Sequence, residues 1–319
     1  MDANYIEHQT APRLEMDVQS FFKQIRYSFP EHGVDYDEYQ KKLIAQASQV
    51  FLEYFKEWNE LMFHYREAET SYWVTKFRYI YFSVLQQASL SICFLPDAHH
   101  SEQWLIHRIL LRLSHWFKTT GFNEDLNQTN EQYEKRIDQI RERYAKVSKL
   151  SVDAPDLRFY LGYPVGAEHL HSVAHMVKSF LVFEKKLKSQ PWYRGQVIFS
   201  YHHLIRDSIR NCYVIRFFLT FQKVIYNPDV DYSILISRLW QDVTMGLGAL
   251  LKVSDKETQK PLGNPFGLGS DEIMEYSEPQ SPLEDLADLP ETASSVEEKM
   301  NKICVVPHNF QIFQGKRIT

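Results

Sequence analysis

The chain has 319 residues, of which 44% are hydrophobic, 14% aromatic and 24% charged, with only 11 glycines and 13 prolines. That profile excludes a fibrous or wholly disordered chain, and a formal net charge of -5 argues against wholesale nucleic-acid binding. Three scattered cysteines, Cys93, Cys212 and Cys304, exclude a disulfide scaffold and a zinc ribbon and point to a reducing, cytoplasmic setting.

The N-terminus lacks the basic start and apolar run of a secretory signal. Leu14 to Leu150 follows a helical period. Asp35 opens one helix, with Asp37 and Glu38 in its first turn, and Leu43, Ala47, Val50, Phe51, Tyr54, Phe55, Trp58, Leu61 and Met62 carry its apolar stripe. Thr70 to Leu95 is a second helix, stopped by Pro96. Its most apolar part, Tyr79 to Leu95, is interrupted by Gln86, Gln87 and serines, which predicts a buried helix and no membrane span. Ser101 caps a third helix that runs through Lys118 to Gly121. Asn123 to Leu150 is so heavily charged that it predicts a solvated connecting helix.

At Pro155 the period changes to two. Leu157, Phe159, Leu161 and Tyr163 alternate with Arg158, Tyr160 and Gly162, which predicts a strand. Ala167 to Ser189 is an amphipathic helix, Val197 to Arg206 and Cys212 to Phe221 are further strands, and Asp231 to Thr244 is a helix ended by Gly246 and Gly248. The expected fold class is α+β and mostly helical: a helical bundle over 1–150, then a small antiparallel sheet with helices on one face over 151–252. These stretches carry net charges of -3 and +4, and residues 253–319 carry -6. Between Pro261 and Glu298 there is no Lys or Arg, while acids accumulate from Asp271 to Glu298, so 253–300 is expected to be a mobile acidic linker. Beyond it, the apolar runs Ile303 to Val306 and Phe310 to Phe313 predict that 301–319 docks back on the folded body, as an added strand or in a groove.

If Leu157/Phe159/Leu161, Val197/Phe199/Tyr201 and Ile215/Phe217/Leu219 face the helices, the other sheet face presents Arg158, Tyr160, Ser200, His202, Arg206, Cys212 and Arg216. Arginines bind phosphates and an aromatic ring can stack a base, so Arg158, Tyr160, His202, Arg206 and Arg216 form a candidate nucleic-acid surface. The alternative is that helices cover this face and the arginines pair with carboxylates.

The run QVIFSYHHLIRD, SIRNCYVIRFFLTFQ, ISRLWQDVTMGLG resembles the replication-initiator family of filamentous phages and related prophage proteins, over about residues 156–250. In that family a strand with His-hydrophobic-His precedes a helix with Trp and a glycine-containing turn. The resemblance implies two metal-binding histidines and a tyrosine that attacks the scissile phosphate. Here those positions are Cys212 and Val214, and valine cannot ligate a metal, which implies a descendant that does not nick. His202 or Asp207 beside Cys212 would make a poor Mg²⁺ or Mn²⁺ site.

His171 and His175 lie one helical turn apart near Glu168 and His169, without the HExxH glutamate, and are expected to be structural. No GxxxxGK[ST], GxGxxG or GxSxG occurs, and Gly263, Gly267 and Gly269 have no preceding strand. The sequence therefore predicts no catalytic residue, metal site or cofactor. The expected function is a replication-initiator-like, non-nicking protein of a mobile element that binds nucleic acid or a replication partner. The alternative is a helical interaction or regulatory module, with a protein partner on the helical domain or the C-terminal segment, and the third possibility is a metal-dependent DNA-nicking nuclease.

Overall fold

The computed structural model describes residues 5–30, 35–150, 156–164, 167, 172–207, 212–250, 304–306 and 310–318. The acidic stretch Asp271 to Glu298, the glycines at 263–269, and Glu168, His169 and His171 lie outside the described residues. The chain divides into two compact units, Met1–Tyr133 with Lys302–His308 and Glu134–Asn301 with Asn309–Thr319. Among the described residues no helix is long and apolar enough to cross a membrane.

In the first unit a π-helical turn, Ile6–Thr10, leads into α1 (Ala11–Tyr27), followed by α2 (Tyr36–Glu53) and α3 (Phe55–His64). The single helix expected from Asp35 to Met62 is thus two, broken where Tyr54 leaves helical geometry (φ -130°, ψ 35°). The break coincides with a tertiary anchor: the Tyr54 phenol donates to Asp17 Oδ2 at 2.6 Å and the Arg13 guanidinium lies 3.9 Å from its ring centroid. β1 (Glu69–Thr70) precedes α4 (Tyr72–Gln87) and pairs with β6 (Val305–Val306), opposing Glu69 to Val306 and Thr70 to Val305. α5 (Glu102–Phe117) begins at the predicted cap, with Trp104 N donating to Ser101 Oγ at 3.1 Å. Its core is aromatic: the Phe22 ring lies 5.1 Å from Trp73, 5.3 Å from Phe117 and 5.1 Å from Phe122. Each such ring replaced by alanine costs about 3–5 kcal/mol.

α6 (Thr120–Leu150) is one helix of 31 residues whose second half belongs to the other unit. There it is not merely solvated. Ile137, Ile140, Tyr144 and Val147 are buried, a stripe spaced three, four and three residues apart within the charged sequence.

The second unit is built on β2 (Asp156–Gly162), β3 (Val197–Asp207), β4 (Cys212–Phe221), β5 (Ala249–Leu250) and β7 (Phe313–Arg317). They form one antiparallel sheet in the order β5-β2-β4-β3-β7. α7 (Val173–Ser189), short α8 (Pro191–Gln196) and α9 (Tyr232–Val243) complete it. α7 and α9 pack on one sheet face, where Phe183 lies 5.6 Å from Phe217 and 5.7 Å from Trp240. The second half of α6 lies on the other face, with Tyr144 5.3 Å from Phe199 and 6.4 Å from Phe218. Helices therefore flank both faces, and the fold is α+β and mostly helical with a small antiparallel sheet.

Candidate nucleic-acid interface

Directly opposed residues in an antiparallel pair share a face, so the register sorts the candidate side chains. β2 and β4 alternate as expected: Leu157, Phe159 and Leu161 oppose Leu219, Phe217 and Ile215 on the face of α7 and α9. β3 does not keep the expected face. Val197 opposes Phe221 but Phe199 opposes Thr220, a register shift that inserts a bulge and inverts every side chain after it. Tyr201 therefore opposes Phe218 on the α6 face, and His202 opposes Phe217 on the α7 face.

The five candidates consequently do not share one surface. Arg158, Tyr160 and Arg216 remain together on the α6 side, all half-buried, with Arg216 opposing Tyr160 and its guanidinium 5.9 Å from that ring centroid. His202 and Arg206 are on the opposite side, 6% and 3% exposed, with Arg206 opposing Tyr213. His202 is a packing residue: its ring lies 4.8 Å from Phe180 and stacks 5.6 Å from Phe310, and Nε2 donates to the Gln311 carbonyl at 3.2 Å. Burial lowers its pKa to about 4, so the ring is neutral at physiological pH. Ser200, placed on the candidate face by simple alternation, opposes Leu219 on the α7 side.

The residue that alternation left out is His203. It opposes Arg216, is 7% exposed, and its pKa is lowered to about 3, first by burial and then by the Arg216 charge. Beside Arg158, Asp156 accepts from the Tyr144 phenol at 2.9 Å, and burial raises its pKa against the lowering influence of Tyr144 and Arg158. α6 thus closes one end of this face, while Arg158, Tyr160 and Arg216 still reach solvent.

Where the resemblance would require metal ligands, the structure has an apolar cluster. Cys212 and Val214 are each 1% exposed and pack with Tyr160, Ile205 and Ala249. His202 lies across the sheet from Cys212 and so is not beside it. Among the described residues no group of three His, Cys, Asp or Glu side chains is placed to hold a metal ion. His175 packs its ring 5.3 Å from Tyr163 at the Ser172-capped start of α7. The tryptophan and glycine turn have a structural role. Trp240 Nε1 donates to the Gly162 carbonyl at 3.0 Å, Gly248 N donates to Thr244 Oγ1 at 2.8 Å, and a Cβ on Gly248 would lie 2.7 Å from Trp240 Cδ1.

Comparison with protein-family models, characterised proteins and solved structures returns no match for this chain.

Proposed function

We propose that the protein is a non-nicking, replication-initiator-like nucleic-acid-binding protein of a mobile element, which uses Arg158, Tyr160 and Arg216 of the sheet. The observation that carries this reading is their grouping: Arg158 and Tyr160 share one face of β2, Arg216 opposes Tyr160 on β4 with its guanidinium 5.9 Å from the ring centroid, and all three reach solvent. Arginine forks suit phosphate oxygens and the ring offers a base a stacking face. His202 and Arg206 are no longer part of the proposed surface. The packing of Cys212 and Val214 supports the absence of strand cleavage, because on the face shared with Arg216 and Tyr160 both are buried against Tyr160, Ile205 and Ala249 and valine offers no metal ligand.

Binding of the full chain to labelled single and double strands tests this across salt from about 50 to about 200 mM. Arg158→Ala/Arg216→Ala should weaken binding alike for every sequence and flatten its salt dependence, and supercoiled DNA should stay intact with Mg²⁺ or Mn²⁺. Undiminished binding by the double variant refutes the proposed surface. A covalent tyrosyl-DNA adduct refutes the non-nicking reading.

One observation favours the interaction module as a second reading. The C-terminal segment adds β7 to the edge of β3, opposing Phe199 to Arg317 and His203 to Phe313, which is the geometry by which sheet edges capture extended peptides.

A further inference from the structure

The helical unit carries a second charged surface that the charge of the first 150 residues conceals. Residues 71–123 contain Lys76, Arg78, Arg108, Arg112 and Lys118 against only Asp97 and Glu102, and no carboxylate occurs from Gln103 to Asn123. α5 buries Leu105, Ile106, Ile109, Leu110, Leu113 and Phe117. Its opposite side leaves His107, Arg108, His115 and Lys118 exposed, with Trp104, Arg112 and Trp116 half-buried.

Trp104, Arg108, Arg112 and Trp116 are each four residues apart, so they form one row along the helix, about 18 Å long. Arg112 donates to Ser83 Oγ at 3.0 Å and to the Gln87 side-chain oxygen, neutral partners that orient the guanidinium without cancelling its charge. Arg108 makes no ion pair among the described residues. On the neighbouring helix, Tyr79 is 72% exposed, one turn from both Lys76 and Ser83, and Lys76 lies 5.3 Å from the Trp116 ring while pairing with Asp125 at 2.6 Å.

We propose that this α4–α5 face binds single-stranded nucleic acid, with Arg108 and Arg112 on successive phosphates and Tyr79 stacking on a base. Four-residue spacing sets the two arginines about 6 Å apart, a step an extended strand can match phosphate by phosphate. A duplex hides the base faces that Tyr79 could use, whereas a single strand offers them. A lipid surface fits less well, because the Arg108–Arg112 row projects no exposed aliphatic side chain. The proposal is independent of the sheet surface in the other unit.

The test is anisotropy of a labelled oligothymidylate with the full chain across the same salt range. Arg108→Ala/Arg112→Ala should bind at least about tenfold more weakly, and its salt slope should be shallower by about 1.4, since each phosphate contact on a single strand contributes about 0.7. Arg108→Lys/Arg112→Lys should keep most of the slope, and Tyr79→Ala should weaken binding without changing it. Because Arg112 also bonds to α4, Arg108→Glu alone serves as the variant that leaves the fold untouched, and it should weaken binding at an unchanged melting temperature. Wild-type affinity and slope in Arg108→Glu, or in the double alanine variant, overturns the proposal. A loss matched on polyglutamate also overturns it, by making the face a general binder of acids. Arg158→Ala/Arg216→Ala measured in parallel separates the two surfaces: each pair of substitutions must act whether or not the other does.

Discussion

His202 and His203 make the stability of the sheet unit depend on pH in a calculable way. Both rings are held neutral in the folded chain, with pKa values lowered to about 4 and about 3, mainly by burial, from an ordinary value of 6.5. The unfolded chain takes up protons on these rings as pH falls through about 6.5, and the folded chain does so only near 4 and 3. Stability is therefore full above the unfolded value and falls as pH drops from about 6.5 toward 4. At pH 5 each ring contributes a loss of about 2 kcal/mol, from 1.36 kcal/mol per pKa unit over the interval to about 6.5, so the pair contributes about 4 kcal/mol. The perturbation is His202→Gln, which removes one titrating ring and retains an N–H donor for the Gln311 carbonyl. Urea unfolding at pH 7 and pH 5 should show the variant losing about 2 kcal/mol less than the parent chain over that interval. Equal losses in the two proteins would refute the assignment of His202 as a ring buried and neutral in the fold.

Gly248→Ala places a methyl group against Trp240 and Thr244 and should cost about 1–3 kcal/mol of urea stability; an unchanged midpoint would show that the turn has room to spare. Phe310→Ala removes a ring that is 9% exposed and stacked on His202, and should cost about 3 kcal/mol while speeding amide exchange in Gln314 to Arg317. Unaltered exchange there would mean that β7 holds to β3 by backbone pairing alone.

Local pattern carried much of this fold. The Ser101 cap, the alternation of β2 and β4 and the helix ending before Gly246 are all signals within a few residues of each other. What escaped depends on distant partners. The Tyr54 break reflects Asp17 and Arg13 on another helix, and no propensity along residues 35–62 encodes it. The bulge between Val197 and Phe199 counts two residues against one on β4, so alternation within β3 alone puts His202 and Arg206 on the wrong face. In α6 the buried stripe at Ile137, Ile140, Tyr144 and Val147 was present in the spacing, but the surrounding charges outweighed it. The α5 arginines were hidden differently, because charge summed over 150 residues averages a basic helix with acidic neighbours.

Hydrogen exchange of the full chain with and without an oligothymidylate tests the sheet surface most directly. Binding through Arg158, Tyr160 and Arg216 should slow exchange at the amides of β2 and β4 around residues 158–160 and 214–216, and the slowing should vanish in Arg158→Ala/Arg216→Ala. Binding that leaves those amides exchanging at their free rates would contradict the sheet as a nucleic-acid surface.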